Sequence, residues 1–217
     1  MRIATRVQRI DEVLSPPLLQ RGVDTIACTN AVHLYTDLEE TASAWASVLR
    51  PGGKLFINSG NIRNPRAKPN QWILDETVWV INDLAEGIVR SDPRYAAYRP
   101  VLDDGERMEA HSAFRNRVFV EPRRLDFYLN TLRSAGFQIE GVTEHNIRAR
   151  VDDWYEFLTA YHDAVLGWAG GNEKVDGRAP TAEAIADRLS LIRQAIDTLF
   201  GGRPEFDACW TYINCTR

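Results

Sequence analysis

One stretch of the chain, residues 23–58, restricts the fold more than any other. It begins with an almost continuous apolar, β-branched run, VDTIAC at 23–28, and ends with a second one, KLFIN at 54–58. Between them lies a helical pattern that Asp37 can cap and that Pro51-Gly52-Gly53 ends. Such apolar runs are typical of strands covered on both faces. The pattern predicts two adjacent, parallel, buried strands joined by a helix in a right-handed βαβ unit.

The rest of the sequence continues this alternation, with helical interruptions. It predicts a helix at about 72–89, a long irregular stretch at 91–114, a short extended piece at 115–122, a helix from Pro122 through Leu132, a strand at 138–147, helices at 151–169 and 181–200, and a last strand at 206–215 at or near a sheet edge. The fold class is therefore α/β with helical insertions.

Composition excludes several classes of protein. With 217 residues and 44% hydrophobic content, the chain has the size and the apolar content of one globular domain. A net charge of -4 gives no basic excess for binding nucleic acid. Three scattered cysteines predict reduced thiols and no metal site, with Cys28 buried. Without an apolar run of membrane-spanning length, we expect a cytoplasmic protein that has no membrane partner.

The segment VDTIACTNAVHLYTDLEETASAWASVLRPGGKLFI, residues 23–57, resembles the middle of the class I S-adenosylmethionine-dependent methyltransferase domain. In that family a fourth strand, a helix and an LRPGG turn lead into a fifth strand. The sequence at 7–24, VQRIDEVLSPPLLQRGVD, is similar to the third-strand region, in which an acidic residue follows the strand and a short loop leads into the fourth strand. Residues 125–142 resemble the following helix and sixth strand, and WTYINC at 210–215 resembles the antiparallel seventh strand.

This resemblance implies a partial Rossmann-like methyltransferase sheet, built from the third to seventh strands. The chain 1–217 would be a single methyltransferase-like domain that lacks the first and second strands. Residues 61–115 and 151–203 would be helical insertions that form a lid or a substrate pocket. The implied activity is methyl transfer from S-adenosylmethionine to a small molecule.

The implied cofactor contacts lie after two strands. Asp11, with Glu12 beside it, would accept a hydrogen bond from the adenine amino group, while Thr29, Asn30, Ala31 and His33 would line the methionine half of S-adenosylmethionine. The carboxyl ends of strands are where open α/β sheets bind ligands. From the residues alone, a solvated acidic turn and a loop that satisfies its own backbone groups remain the alternatives.

Two histidines, His33 and His111, are candidates for a catalytic base because imidazole titrates near neutral pH. A purely structural or exposed histidine is the alternative for His111, and positioning alone can drive much of a methyl transfer. Candidate substrate-binding residues are the aromatic side chains of the insertions, namely Trp79, Tyr95, Phe114 and Tyr161. Helix packing is their alternative role. Arg115, Arg117, Arg123 and Arg124 form either an anion-attracting cluster or a solvated face.

Two features of the family are not found in the sequence. A glycine-rich loop after the first strand and the acidic residue that binds the ribose are both absent, and the earliest glycine is Gly22. We expect either truncation of a longer protein, a misassigned start, or a homo-oligomer or partner chain that completes the sheet. This chain alone should bind the cofactor weakly or not at all. A non-catalytic binding or assembly subunit is the alternative, and a different nucleotide-binding protein is a third reading that no phosphate-binding motif supports.

Overall fold

The computed structural model describes residues 14–64 and 71–217. Asp11, Glu12 and the rest of residues 7–13, the first part of the predicted third-strand region, lie outside these residues. The chain divides into two compact units. We call the first the sheet unit; it comprises the described residues up to Ile73 together with Pro122–Ile147 and Cys209–Arg217. The second, the helical unit, comprises Leu74–Glu121 and Arg148–Ala208.

Helices and strands alternate along the chain at first, and helices dominate its second half. The strands are β1 (Val23–Thr29), β2 (Leu49–Ser59), β3 (Ile62–Arg63), β4 (Gln71–Trp72), β5 (Arg123–Arg124), β6 (Gln138–Arg150) and β7 (Glu205–Thr216). The helices are α1 (Pro16–Arg21), α2 (Leu38–Val48), α3 (Leu74–Ser91), α4 (Arg99–Leu102), α5 (Gly105–Val118), α6 (Leu125–Ser134), α7 (Val151–Thr159), α8 (His162–Val165), α9 (Glu173–Asp176) and α10 (Ala182–Phe200).

The predicted βαβ unit is confirmed. Strands β1 and β2 pair in parallel, with Ile26 opposite Leu55 and Cys28 opposite Ile57, and α2 connects them. Asp37 caps α2 through a 2.9 Å hydrogen bond that its carboxylate accepts from the Glu40 amide. This satisfies one of the backbone donors left open in the first turn.

Strand β7 is internal to the sheet but lies next to β4 at the end of the strand order, in agreement with its predicted place at or near an edge. It runs antiparallel to β2, with Ile213 opposite Ile57, and it also pairs with β4 and β6. The sequence signal was the alternation of polar and apolar residues, which reflects one covered face. This alternation does not indicate how many neighbouring strands pair with β7. The observed order, β1-β2-β7 with β6 beside β7, is a partial Rossmann-like α/β sheet.

The prediction that the strands at 23–28 and 54–58 are both covered on two faces is wrong, since Phe56 on β2 is 45% exposed and β1 has one open face. Ile26 and Cys28 are buried, whereas Thr25, Ala27 and Thr29 on the opposite face are exposed. A strand covered on one face alternates in exposure because successive side chains point to opposite sides. The apolar run VDTIAC hid this alternation because Ala27 is apolar and yet lies on the open face.

The covered face of the sheet carries the core of the sheet unit. Leu55, Ile57 and Ile213 pack with apolar residues of α2 and α6. Of these helical residues, Trp45 and Tyr128 are almost fully buried. This core fixes the strands in register, and it thereby fixes the loops that follow them.

Residues 91–114 are helical, not irregular as the sequence predicted. They form a 3-10 turn at Pro93–Tyr98, then α4 and most of α5. The side chain of Asp104 caps α5 by accepting a hydrogen bond from the Arg107 amide. The only side chains that α5 fully buries are those of His111 and Arg115. Since neither is apolar, the helix has no hydrophobic periodicity from which it could have been predicted.

The remaining helices of the helical unit mostly follow the prediction. The helix predicted at 72–89 is α3, and the helix predicted at 181–200 is α10, which Thr181 caps and Gly201 ends in a left-handed conformation. The helix predicted at 151–169 is divided into α7 and α8. Residues 115–118, predicted to be extended, complete α5.

Candidate functional site

The loop after β1 is tied to the end of β2. Asn30 has a left-handed backbone conformation, with φ of 46°, which is uncommon for a residue other than glycine but tolerated by asparagine. Its amide donates to the Asn58 carbonyl at 2.8 Å, and its side-chain oxygen accepts from the Gly60 amide at 3.3 Å. These two contacts join the carboxyl ends of both strands into one polar edge.

A short turn places His33 beneath this edge. The imidazole is 8% exposed, and its Nδ1 lies 2.8 Å from the Ser59 hydroxyl, which also accepts from the Asn61 amide at 3.0 Å. Because Ser59 itself is fully buried, the contact holds the loop against the sheet. The geometry gives His33 a structural part in shaping the edge.

Trp210 on β7 covers the same region. Its indole nitrogen donates to the Asn58 side chain at 3.2 Å, and its ring lies so close to Gly60 that a Cβ there would come within 2.6 Å of it. Only glycine fits at this position. Sequence reasoning missed Asn58, Ser59, Gly60 and Trp210. The signal that was available is the small and polar run Asn58-Ser59-Gly60-Asn61 directly after the second strand.

The other residues predicted at this edge have different exposures. Thr29 and Asn30 are exposed, and Ala31 is half-buried. Thr29 lies opposite Asn58 in the parallel register. Of the predicted cofactor-binding residues, the structure thus brings together Thr29, Asn30, Ala31 and His33 in the sheet unit. Asp11 and Glu12 fall outside the described residues.

His111, the second candidate base, lies in the helical unit. It is 4% exposed, and its Nε2 is 3.2 Å from a carboxylate oxygen of Asp176. Desolvation lowers the pKa of His111 below its usual value, against the opposing effect of Asp176, and the charges of Arg107 and Arg188 act in the same direction as burial. The imidazole is therefore neutral near pH 7.

Asp176 is held as a carboxylate. Burial alone would raise its pKa, but hydrogen bonds from the Asn172 amide at 2.6 Å and from Arg107 Nε at 2.7 Å keep the pKa below its usual value. At 3.2 Å from Nε2, the negative charge of Asp176 favours a proton on the imidazole of His111. The imidazole of His111 beside Asp176 is chemically suited to accept a proton, and no pattern in the sequence points to Asp176 as the neighbour of His111.

The predicted aromatic residues of the helical unit have distinct surroundings. Tyr95 is 3% exposed, and its hydroxyl bonds with Ser190 and Gln194, so it packs within the unit. Trp79 donates to the Asn116 side chain at 3.1 Å. Phe114 lies under the Lys174 ammonium at 5.1 Å. Tyr161 is 40% exposed and contacts Phe119 and Phe157.

The predicted arginine cluster is divided by burial. Arg115 is 9% exposed, and desolvation lowers its pKa, whereas Arg117 and Arg124 are exposed and Arg123 is half-buried. Residues 14–64 and 71–217 contain no group of three or more histidine, cysteine or acidic side chains able to hold a metal ion. Within the same residues, no helix is both long and apolar enough to cross a membrane.

Comparison with solved structures finds similar folds at low identity. A Bacillus halodurans C-125 protein, provisionally assigned as a methyltransferase, is 15% identical over 90% of this chain and 64% of its own, with a TM-score of 0.45. The YcgJ protein from Bacillus subtilis is 14% identical over 90% and 64%, with a TM-score of 0.41. The mycolic acid cyclopropane synthase CmaA1, solved with SAH and CTAB, is 12% identical over 90% and 56%, with a TM-score of 0.39.

The chain thus spans about 64% of the length of the first two of these proteins. No protein-family model matches the sequence. No curated protein matches it either.

Proposed function

We propose that this chain contributes the methionine-binding part of an S-adenosylmethionine site in a methyltransferase that acts on a small molecule. The supporting observation is the polar edge formed by Asn30 and Asn58 at the carboxyl ends of two parallel strands. Open α/β sheets bind their ligands at this edge. S-adenosylmethionine would supply a methyl group on a positively charged sulfur, which is already a strong electrophile.

The residues of the loop fit the amino and carboxylate groups of such a cofactor. Because the side-chain oxygen of Asn30 accepts from Gly60, its NH₂ group is the part that would donate to a carboxylate. Thr29 and Asn30 are exposed at the edge, and Ala31 lets a ligand approach the backbone closely. His33 and Trp210 would hold the loop and Gly60 in place rather than take part in the chemistry.

Affinity should be low in this chain. The glycine-rich loop and the ribose-binding acidic residue of the family are not in the sequence. Each missing hydrogen bond removes about 0.5–1.5 kcal/mol, and more where a charged group takes part. We therefore expect weak binding that depends on the loop after β1, with Asp11 as the adenine contact.

For the acceptor side, we propose His111 as the proton acceptor and the aromatic side chains Trp79, Phe114 and Tyr161 as substrate contacts. A neutral imidazole beside Asp176 can take a proton at neutral pH. We assign Tyr95 a packing role, because its ring is buried and its hydroxyl forms hydrogen bonds with Ser190 and Gln194 of the same unit.

The test is an NMR titration of the ¹⁵N-labelled chain with S-adenosylmethionine, which detects weak binding residue by residue. We expect saturable shifts at the amides of residues 29–33 and 58–61. Asn30→Gly keeps the left-handed backbone but removes the side chain, and it should weaken binding roughly tenfold. The matched control is Asn130→Ala, on an exposed position of α6, which should leave binding unchanged.

Two outcomes would contradict the proposal. Absence of any shift at residues 29–33 and 58–61 would leave a non-catalytic binding or assembly subunit as the better account. Equal binding by the wild-type chain and Asn30→Gly would show that the loop after β1 is not the methionine site. Asn30→Ala should also impair binding more than His111→Ala does.

A further inference from the structure

The helical unit contains a cleft of about 340 Å³ that the proposed function does not use. Its lining includes His162 and Asp163 of α8, Glu173 and Lys174 of α9, and the apolar side chains of Ala160 and Ile185. Ligand pockets commonly start at about 300 Å³, so this cleft has room for a small molecule only. Its charged groups and its apolar groups come from separate helices.

The tautomer of His162 follows from its neighbour. Arg188 Nη1 lies 3.3 Å from His162 Nδ1. A guanidinium can only donate, so Nδ1 must accept, and the ring proton of the neutral imidazole is on Nε2. Desolvation, followed by the charge of Arg188, lowers the pKa of His162 and keeps the ring neutral. The cleft is therefore lined by an imidazole with an N–H donor on Nε2.

Lys174 is held in place from two sides. Its ammonium lies 5.1 Å above the ring of Phe114 and 3.5 Å from a carboxylate oxygen of Asp163. The buried Asn172 supports the same corner, because its side chain donates to the Asp163 carbonyl at 2.8 Å and accepts from the Lys174 amide at 2.9 Å. These contacts bring a cation and two carboxylates, those of Asp163 and Glu173, to one small cleft.

The backbone behind the cleft is held by hydrogen bonds from Arg188. Arg188 is fully buried and donates to the backbone carbonyls of Gly167, Ala169 and Gly171. Its remaining contact is with His162. The guanidinium thus fixes the chain between α8 and α9 and the imidazole at the same time. A site whose groups are held before binding loses less entropy when a ligand arrives.

We propose that this cleft binds a small amino acid with an apolar side chain. Its carboxylate would meet Lys174 and the Nε2–H of His162, and its ammonium would meet Glu173 and Asp163. The apolar side chain would lie against Ala160 and Ile185. With two carboxylates, one ammonium and a neutral imidazole, the cleft favours a zwitterion over a simple anion. This site lies in the helical unit and does not depend on methyl transfer.

The first test uses L-valine as the probe, titrated into the ¹⁵N-labelled full chain. Its two half-molecules are the matched comparisons: isovalerate lacks the ammonium group, and isobutylamine lacks the carboxylate. We expect saturable shifts at residues 160–163 and 172–175 with L-valine, and at least tenfold weaker binding for each half-molecule. The proposal is wrong if either half-molecule binds as tightly as L-valine. It is also wrong if L-valine causes no shifts at residues 160–163 and 172–175.

Variants locate the two charged contacts. Glu173→Gln and Lys174→Met alter exposed side chains, so the fold should persist, and each should weaken L-valine binding roughly tenfold. Glu183→Gln is the control because Glu183 is an exposed acidic residue in the first turn of α10, outside the cleft lining. Unchanged affinity in both Glu173→Gln and Lys174→Met would overturn the assignment of this cleft.

Discussion

The sheet unit and the helical unit are stabilised by different kinds of buried groups. In the sheet unit, the core is a continuous apolar cluster that includes Leu55, Ile57 and Trp45. Among the described residues, its buried polar side chains, such as His33, Ser59 and Thr211, include no arginine, whereas the helical unit buries the guanidinium groups of Arg115 and Arg188. Both units therefore bury polar groups, but within the part of the chain that the structure describes only the helical unit buries arginine side chains.

This difference has an energetic consequence. Apolar burial is non-directional and tolerates modest changes of shape. Buried polar groups stabilise only while each has its partner, and loss of a partner costs the full desolvation of the group left behind. We therefore expect single substitutions of buried polar residues in the helical unit to have larger effects than conservative changes in the sheet unit.

The largest expected effect is that of Arg188→Met. Removing the guanidinium leaves the carbonyls of Gly167, Ala169 and Gly171 without this donor, so unfolding should become easier by about 3–5 kcal/mol. Urea unfolding followed by circular dichroism measures the change. Arg193→Met on the same helix is the control, because its ion pairs with Asp152 and Asp197 are solvent-exposed and worth at most about 1 kcal/mol. Equal losses for both variants would refute the comparison.

The second effect depends on pH and concerns Asp75 in α3. Desolvation raises its pKa from 3.8 to about 7, although a hydrogen bond from Val120 opposes the shift. The folded state therefore binds the proton of the Asp75 carboxyl more tightly than the unfolded state does. The protonated carboxyl contributes its full stability below pH 4, and this contribution is lost as the pH rises through 7. Asp75→Asn should remove this loss and stabilise the protein at pH 8 on the order of 2–4 kcal/mol.

The control for Asp75 is Glu106→Gln, an exposed acidic residue in the first turn of α5. It should change stability by no more than about 0.5 kcal/mol at any pH. Unfolding midpoints measured from pH 4 to pH 8 decide the matter. If the unfolding midpoints of wild type and Asp75→Asn depend on pH in the same way, the desolvated carboxyl of Asp75 is not the cause of that dependence.

A smaller effect is expected in the sheet unit. Ile57→Val removes one buried methylene from the covered face of β2 and should cost about 0.5–1.5 kcal/mol, independent of pH. Phe56→Tyr, at the 45% exposed neighbour on the open face, should change stability by less than about 0.5 kcal/mol. A loss for Ile57→Val as large as that for Arg188→Met would mean that the two units do not differ as described.

The sequence predicted the sheet unit better than the helical unit, and the reason is physical. Periodicity reports apolar faces, so it located β1, α2 and β2 and their parallel pairing. It failed for α5, whose fully buried residues are a histidine and an arginine. The carboxylates near them, Asp176 for His111 and Asp83 and Glu86 for Arg115, lie far away along the chain, and no local pattern encodes such neighbours.

The same limit applies to the candidate sites. Asn30 and His33 could be predicted because they follow a recognisable strand, and the polar run after the second strand was a signal for Asn58. Trp210 became visible only through the antiparallel pairing of β7 with β2. In the helical unit, Asp176 lies 65 residues from His111 along the chain, and the sequence contains no spacing rule that would join them. Pairings across such distances follow from tertiary packing and not from local propensity.

The smallest expected signal is the labelling of the three cysteines, which should be very slow in the folded protein. Cys28, Cys209 and Cys215 are unpaired and buried, as the sequence predicted for Cys28, and burial raises the pKa of each thiol to about 11. At pH 8 only about one thiol in a thousand would be ionised, and the thiolate is the reactive form. Labelling by a chromogenic disulfide should therefore follow the slow opening of the sheet unit, whereas all three thiols should react at once in concentrated urea. Ile57→Val should speed the labelling slightly, because it lowers the cost of that opening. Complete reaction of Cys28 within seconds in the folded chain would show that the covered face of β1 is accessible and that the sheet core is not closed around it.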